Sequence, residues 1–230
     1  LDITGNTRLP AESIKKLRAK YTRRCLGVRS VNALRADIQR IYVEMGLITS
    51  RGYLPRQDLR SGILRVEILE GTVEAIELND GARVDRWQLL FAMPRQQDDL
   101  LQLRDIEQGL DQINRLASSA ATVKLWPGTT PGSTVVRITN PRKDQTRGYA
   151  GWDNDGQTVT GERRWRLGFE RDNAIGVGDD WSLFLISAEN SNALAFSLGV
   201  PWRYWSFRYS DAYSEYLTLL TAQAELFGRS

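Results

Sequence analysis

The sequence predicts an α+β chain in which two repeated β-α-α-β-β units precede a run of antiparallel strands. Three observations support this prediction. Helical hydrophobic patterns recur 72 positions apart, only strand patterns remain after about residue 146, and five of the seven tryptophans lie beyond that boundary. Because aromatic side chains suit the pleated, half-buried surface of a sheet, their enrichment supports strands in the last part of the chain.

The first unit begins with a short strand at Leu1–Thr4 and a turn at Gly5-Asn6. Pro10 suits the opening turn of a first helix, where its missing N–H group has no helical partner to lose. A second helix is predicted over residues 31–46, with Ser30 available as the N-cap. A strand, a loop and another strand then complete the unit.

The second unit repeats this order. A strand at Val73–Leu78 meets a turn at Asn79–Gly81, and Asp85 can cap the helix that follows. A second helix is predicted over residues 103–117. Two unrelated segments aligned by chance remain the alternative to a true repeat. The matched helix positions are Leu34 and Ile106, Ile38 and Leu110, and Ile41 and Ile113.

The last part of the chain contains six predicted strands, and several of them alternate strictly between two faces. Asp172-Asn173 and Val200-Pro201 contain residue types that are common in turns, so turns are predicted there between strands. The predicted strands are 147–153, 162–171, 180–189, 193–200, 203–211 and 215–226. In the second of them the apolar face carries Trp165, Leu167 and Phe169, and the charged face carries Arg164, Arg166 and Glu170.

This alternation suits two architectures. One is a soluble sandwich with an apolar core, and the other is a membrane barrel with its apolar face toward lipid. The alternation of apolar and polar residues does not distinguish these two architectures. Six strands are fewer than the eight with which lipid-spanning barrels begin, so a barrel reading implies a truncated barrel.

Composition argues against several functional classes. The 230 residues include no histidine and one cysteine, Cys25. A Ser-His-Asp or Cys-His site is therefore excluded within this chain, as are an intrachain disulfide and a thiolate zinc cluster. The net charge of +3 comes with scattered arginines rather than a clustered basic footprint. We expect no enzyme activity, no cofactor, no metal site and no nucleic-acid binding.

Several motifs together resemble one known family. They are the segment Met45–Gly71 with its Leu-Pro-x-Gln-Asp loop, the segment Gly151–Gly156 followed by Thr160-Gly161, the stretch from Asp172 to Asp179, and Pro201–Trp205. In this order they resemble the two-partner secretion transporters of Gram-negative outer membranes, the hemolysin-activator family. The resemblance implies two tandem polypeptide-transport-associated (POTRA) domains at 1–71 and 72–146, followed at 147–230 by the N-terminal strands of an incomplete transmembrane β-barrel.

The resemblance also implies a function. Such a transporter recognises an unfolded partner exoprotein (an adhesin, a cytolysin or a contact-dependent inhibition toxin) through its periplasmic POTRA domains. It then passes the exoprotein through an outer-membrane pore without ATP, and its barrel strands contact lipid. The family's plug helix, its remaining strands and its inward-folded arginine loop have no counterpart in this sequence. The Arg-Gly-Tyr triplets at 51–53 and 147–149 lie in the wrong places to be that loop. We therefore expect no transport from this chain alone.

In POTRA domains the middle strand of the three in sequence lies at the sheet edge, where its unpaired backbone groups can pair with an extended polypeptide. The corresponding segments are Ile48–Leu54 and Ala121–Trp126, and the second is preferred because it lies nearer the barrel. The open strand edges also predict self-association of the chain. The residues predicted to bind the partner at the second edge and its groove are Ala121, Thr122, Val123, Lys124, Leu125, Trp87 and Phe91, and those at the first edge are Ile48, Ser50, Gly52 and Leu54.

Other interpretations remain open. Trp87 and Phe91 can equally be core residues. A lectin-like β module would gather its aromatic residues on one concave patch, whereas a barrel would place them on outward faces in belts. An enzyme with paired carboxylates acting on sugars is a third possibility. The Asp153–Gly156 stretch resembles part of a calcium loop, but it lacks the closing glutamate and is better explained as a hairpin turn.

Overall fold

The computed structural model describes residues 1–78, 86–95, 97–141 and 143–217. Within these ranges the strands form three sheets, two of three strands and one of five. The three sheets follow one another along the chain without exchanging strands. In the described ranges, no helix combines the length and the hydropathy that crossing a membrane would require.

The first unit consists of β1 (Asp2–Thr4), α1 (Ala11–Tyr21), α2 (Val28–Glu44), β2 (Arg51–Tyr53) and β3 (Arg65–Leu69), with a short 3₁₀ turn at Leu59–Ser61. The sheet order is β1-β3-β2, in which β3 is parallel to β1 and antiparallel to β2. Leu34, Ile38 and Tyr42 are fully buried. Their spacing of four residues places them on one face of α2, so this stripe forms the centre of the first core.

The second unit repeats the arrangement with β4 (Thr72–Leu78), α3 (Arg86–Ala92), α4 (Leu103–Asn114), β5 (Thr122–Pro127) and β6 (Ser133–Thr139). Its sheet order is β4-β6-β5, with β6 parallel to β4 and antiparallel to β5. The β-α-α-β-β order predicted from the repeat is therefore confirmed in both units. The predicted turn at 79–81 and the predicted cap Asp85 lie outside the described residues.

Two predicted helix boundaries were wrong. α2 begins at Val28 after Gly27, and Val31 donates its backbone N–H to the Gly27 carbonyl at 3.1 Å. Ser30 is thus inside the first turn and does not cap the helix. α4 ends at Asn114 rather than at residue 117, because the Asn114 side chain turns to the strand that follows and bonds with the backbone of Ala121.

The two predicted edge strands also differ in extent from the observed ones. β2 covers only Arg51–Tyr53, because Ser50 N–H bonds with the Leu47 carbonyl at 3.1 Å and keeps the residues before it in a turn. β5 begins at Thr122 and continues through Pro127.

The five-stranded sheet is an antiparallel meander of β7 (Thr146–Asp153), β8 (Arg164–Asp172), β9 (Asp180–Ala188), β10 (Ser191–Trp202) and β11 (Trp205–Tyr216). The predicted Val200-Pro201 turn was wrong, since both residues belong to β10 and the reversal occurs at Arg203-Tyr204. The predicted break between 211 and 215 is also absent, because residues 212–214 pair with 193–195. Residues 218–226 of the predicted last strand lie outside the described residues.

A partly buried joint connects the first two units. Ile48 from the first unit packs against the core of the second, and Leu100 from the second packs against the core of the first. Leu103 donates its backbone N–H to the Gly46 carbonyl at 2.9 Å, and Leu101 donates to the Gly71 carbonyl at 2.8 Å. The two units therefore share apolar contacts and backbone hydrogen bonds.

Candidate functional site

The sheet of the second unit has two edges, and the chain itself covers the beginning of one of them. Val73 of β4 donates its backbone N–H to the Asp99 carbonyl at 2.8 Å, and Asp98 donates to the Val73 carbonyl at 2.7 Å. An isolated bridge between Thr72 and Leu100 lies in the same place. At the other edge, β5 pairs only with β6 within the described residues. Within the described residues, β5 is therefore an edge along which no other segment pairs.

The hydrogen-bond pattern shows which backbone groups of β5 are free. Gly128 donates its N–H to the Ser133 carbonyl at 2.9 Å, in register with the pairs between β5 and β6. In an antiparallel pair the direction of the backbone groups alternates from residue to residue. Thr122, Lys124 and Trp126 therefore point their N–H and C=O groups toward β6. Val123 and Leu125 point theirs toward the open side, and so does Pro127, which has no N–H.

A side chain closes one end of this edge. The Asn114 amide oxygen accepts the backbone N–H of Ala121 at 2.6 Å, and its amide nitrogen donates to the Ala121 carbonyl at 3.1 Å. Both backbone groups of Ala121 are thereby occupied, and Ala121 is buried. The unpaired backbone of β5 thus starts at Val123 and ends at the Pro127 carbonyl.

The side chains of β5 divide between two faces. On the helix side, Val123 packs partly against the second core and Leu125 is 36% exposed. On the opposite side, Lys124 is exposed and Trp126 is 49% exposed. The guanidinium carbon of Arg137 lies 5.4 Å from the centre of the Trp126 ring, within the range of a cation–π contact. The edge thus presents both apolar and cationic side chains.

The two residues predicted to complete a groove with β5 lie elsewhere on the unit. Trp87 of α3 is 63% exposed and lines a groove of about 590 Å³ with Ala75 and Ile76 of β4. No residue of β5 is among those that line it. Phe91 instead packs edge-to-face on Trp202 of β10, with ring centroids 4.9 Å apart. The structure brings Trp87 to β4 and Phe91 to the five-stranded sheet.

The residues predicted at the first edge are mostly enclosed. Ser50 is fully buried, and its hydroxyl accepts the Gly71 N–H at 3.0 Å. Ile48 belongs to the joint between units, and Leu54 packs partly against the first core. Gly52 is buried within the three-residue strand β2. The longer exposed edge is therefore that of β5.

Sequence reasoning missed a contact between the second unit and the five-stranded sheet. Arg203, in the turn between β10 and β11, donates its backbone N–H to the Phe91 carbonyl at 2.5 Å. The buried Gln112 amide donates at 3.0 Å to the carbonyls of Arg203 and Trp205. The Tyr204 hydroxyl bonds with Asp105 of α4. The apolar spacing of α4 gives no sign that its polar residues meet another sheet.

An ion-pair chain continues this contact. Arg115, just after α4, pairs with Asp180 at the start of β9 and donates to the Gly178 carbonyl at 2.5 Å. Arg208 of β11 reaches the same Asp180 at 2.8 Å. Burial, together with the charge of Arg208, lowers the pKa of Arg115, although an arginine stays protonated at any physiological pH. The second unit is thus held to three strands of the sheet.

The five-stranded sheet has one apolar and one charged face. On the apolar face, Trp152 pairs with Trp165 near one end and Trp202 pairs with Trp205 near the other. Leu167, Leu185 and Leu194 occupy a single row between these ends. The charged face carries the ion pairs Arg147–Asp172, Arg164–Asp153 and Arg166–Asp153. Trp181, Phe169 and Phe196 also lie on this face, in the rows between the two tryptophan pairs. The aromatic residues thus extend along the whole face rather than gathering in a single patch.

Three family models match the chain. Residues 1–71 match the POTRA domain of ShlB type, residues 72–127 match the POTRA domain, and residues 132–230 match the haemolysin secretion/activation protein ShlB/FhaC/HecB. Together these matches extend over both three-stranded units and the five-stranded sheet.

Individual relatives agree with the family models. The outer membrane transporter CdiB of Dickeya dadantii (strain 3937) is 38% identical over 210 residues, which cover 87% of this chain and 36% of that protein. The hemolysin transporter protein HpmB of Proteus mirabilis is 32% identical over 235 residues, covering 98% of this chain and 41% of that protein. The solved structure of CdiB from Escherichia coli superposes with a TM-score of 0.87 at 28% identity and covers 97% of this chain and 43% of that one.

The chain thus spans less than half the length of these relatives. The relatives are outer membrane or hemolysin transporters by name, and the carbohydrate-binding alternative gains no support from them.

Proposed function

The chain belongs to the two-partner secretion transporters of the haemolysin secretion/activation family, and on that premise we propose that its POTRA domains capture an unfolded exoprotein in the periplasm. The captured chain passes through the β-barrel pore to which the five-stranded sheet contributes, without ATP. The exoprotein is an adhesin, a cytolysin or a contact-dependent inhibition toxin.

The observation that supports capture is the open edge of β5. An unfolded polypeptide carries N–H and C=O groups that have no intramolecular partner, and a free strand edge can pair with them regardless of side-chain sequence. Val123 and Leu125 point their backbone groups to this open side, as the β5–β6 register requires. The opposite edge, on β4, is already paired at Thr72 and Val73 with residues 98–100. We therefore propose β5 as the edge that captures the exoprotein.

The two faces of the five-stranded sheet support the barrel part of the proposal. A barrel wall needs lipid-compatible side chains outside and polar side chains inside. The row of Leu167, Leu185 and Leu194 meets the first requirement, and the ion pairs of Arg147 and Arg164 meet the second. The apolar face therefore contacts outer-membrane lipid, and the charged face lines the path of the exoprotein.

The test uses the full-length transporter with its natural exoprotein. Val123→Pro removes one outward N–H from the edge without touching the bonds to β6, whereas Val123→Ala keeps the backbone and shortens the same side chain. Since one hydrogen bond contributes about 0.5–1.5 kcal/mol, we expect Val123→Pro to weaken capture of the unfolded exoprotein roughly three- to tenfold more than Val123→Ala. Secretion should fall in parallel.

Capture is measured by pull-down of urea-unfolded exoprotein, and secretion by its amount in the culture medium. Circular dichroism and heat-modifiable gel mobility show whether both variants fold. Equal capture by the two folded variants would contradict the proposal that the exoprotein pairs with β5.

A further inference from the structure

The backbone of an edge strand sets the direction of pairing, but its side chains decide which sequences fit. If a polypeptide docks along β5 as proposed, three features of this edge act on its side chains. They are a row of charges on one face of the sheet, an exposed leucine on the other, and the two ends of the open edge.

One row of the second sheet carries Glu77, Arg137 and Lys124 on adjacent strands. Arg137 pairs with Glu77 at 3.1 Å, while Lys124 is exposed and forms no ion pair with a described residue. Arg137 and Lys124 are directly opposite, and like charges in that position are destabilising. A carboxylate on the next strand, opposite Lys124, would complete the alternation of charges across the row.

The other face of β5 exposes apolar side-chain surface. Leu125 lies opposite Val136, which is fully buried, yet Leu125 itself remains 36% exposed. Val123 is only partly buried against the second core. An added strand would place its residues opposite Val123 and Leu125 on this same side of the sheet. Apolar side chains there would remove the remaining surface of both residues from water.

The open edge is short. Asn114 occupies both backbone groups of Ala121 at one end, and Pro127 offers no N–H at the other. Two outward N–H groups remain, those of Val123 and Leu125, about 7 Å apart along the strand. A docked segment can therefore make a regular ladder over only a few residues, and the side-chain pattern within that stretch has a large share in the affinity.

From these observations we infer that β5 selects extended segments in which an acidic residue lies between two apolar residues. The acidic side chain faces Lys124, and its two neighbours face the helix side beside Val123 and Leu125. This apolar–acidic–apolar pattern holds for parallel and antiparallel docking alike, because both place alternate residues on opposite faces. The exoprotein segments that engage the transporter are those that carry this pattern.

Three fluorescent octapeptides test the pattern against the full-length transporter in detergent. One has four Val-Asp repeats, one has four Val-Lys repeats, and one has four valines followed by four aspartates. Fluorescence anisotropy gives the dissociation constants. We expect the Val-Asp repeat to bind roughly fivefold more tightly than the Val-Lys repeat, and also more tightly than the block peptide of the same composition.

Lys124→Glu should reverse the preference between the two alternating peptides. The control is Lys15→Glu, which changes the net charge equally on an exposed position of α1 in the first unit and should leave the preference unchanged. Both lysines are exposed, so neither change removes a buried contact.

The outcomes separate this inference from the function on which it rests. If Val123→Pro weakens every peptide relative to Val123→Ala but Lys124→Glu does not reverse the preference, β5 remains the docking edge and the pattern is wrong. Equal binding by the two Val123 variants would overturn both. A block peptide that binds as well as the Val-Asp repeat would also overturn the pattern, since charge alone would then account for binding.

Discussion

The backbone N–H of Arg203 donates to the carbonyl oxygen of Phe91 at 2.5 Å, which fastens the turn between β10 and β11 to α3. Arg203 has a φ of 55°, a left-handed conformation that is uncommon for residues other than glycine. The surrounding contacts stabilise it, because Gln112 also bonds with the Arg203 carbonyl and the Phe91 ring packs on Trp202. Docking of the second POTRA domain and the shape of this turn therefore depend on each other.

Replacing Gln112 tests that dependence. Gln112→Leu removes the side-chain donor of the Trp205 carbonyl and leaves the Arg203 carbonyl with only the longer bond from Gln108; a lost hydrogen bond of this kind costs about 0.5–1.5 kcal/mol. We expect faster hydrogen–deuterium exchange at residues 202–206 in the full-length transporter. The matched control is Gln108→Leu, because Gln108 makes a single longer contact of 3.3 Å to the same Arg203 carbonyl. Equal exchange in the two variants would mean that Gln112 does not hold the turn.

Glu70 should make the first POTRA domain sensitive to acid. Its carboxylate accepts the backbone N–H groups of Thr7 and Arg8 at 2.8 and 2.9 Å and the Tyr42 hydroxyl at 2.9 Å. Burial alone would raise the pKa of Glu70, but the hydrogen bond from the Thr7 hydroxyl, together with these three, outweighs it and holds the pKa below its ordinary value of 4.5. Folding thus favours the charged form.

A lowered pKa contributes stability above the unfolded-state pKa and loses it as the pH falls through the folded-state pKa. We therefore expect stability of the full-length transporter's first domain to decline below about pH 4.5. Glu70→Gln should be less stable at neutral pH and show a flatter dependence on pH. Urea unfolding of the first domain, followed by circular dichroism between pH 3 and 7, measures this, with the exposed Glu67→Gln as control. Parallel curves for Glu70→Gln and the unsubstituted protein would contradict the assignment.

The two faces of β9 should respond differently to a charge. Leu185 lies on the apolar face between Leu167 and Leu194, while its neighbour Ile186 lies on the charged face opposite Arg166. An arginine on the lipid side near the middle of the bilayer costs about 2–4 kcal/mol. Leu185 lies one row from the Trp152–Trp165 pair, so we expect Leu185→Arg to destabilise the full-length transporter folded in lipid vesicles by part of that amount, about 1–3 kcal/mol, and Ile186→Arg to destabilise it much less. An equal loss of stability for Ile186→Arg would contradict the proposal that the face of Leu185 contacts lipid and the face of Ile186 does not.

The isolated 230-residue chain should self-associate. Among the described residues β7 pairs only with β8 and β11 only with β10, so both outer edges of the five-stranded sheet are unpaired. Unpaired edges next to exposed aromatic side chains such as Phe207 and Tyr209 favour pairing between copies. Light scattering without detergent should show assemblies larger than one chain. A strictly monomeric, soluble chain would contradict this prediction.

Much of the fold could be predicted because its signals are local. The positions of Leu34, Ile38 and Tyr42 at intervals of four residues specify the buried stripe of α2 before any packing is considered. The 72-residue offset between matched helix positions then predicts the same order of elements in the second unit. The alternation of Trp165, Leu167 and Phe169 likewise fixes the face on which each side chain of β8 lies.

The turn between β10 and β11 could not be predicted by the same means. Pro201 resembles a turn residue but lies within β10, and Arg203-Tyr204 contains none of the glycine or asparagine residues that normally permit this reversal. The hydrogen bond from the Arg203 N–H to the Phe91 carbonyl stabilises this turn, although the local sequence has no typical turn residue.

The candidate site was predictable only in part. Edge strands follow from the resemblance to POTRA domains, yet the direction of each backbone group and the closure of Ala121 by Asn114 depend on how α4 meets β5. The sequence places Phe91 with β5 because it lies on the same predicted helix as Trp87. The contact with Trp202 that gives it another role comes from a strand more than a hundred positions later.

The pairing of residues 98–101 with Gly71, Thr72 and Val73 limits how copies of the second POTRA domain can assemble. Growth of a filament by strand addition requires every subunit to offer two complementary margins, one for the subunit ahead and one for the subunit behind. Because the backbone of Val73 is already bonded within the domain, a second copy finds no free groups at the start of β4. The segment that completes this end of the sheet thereby also shortens the margin along which polymerisation could proceed.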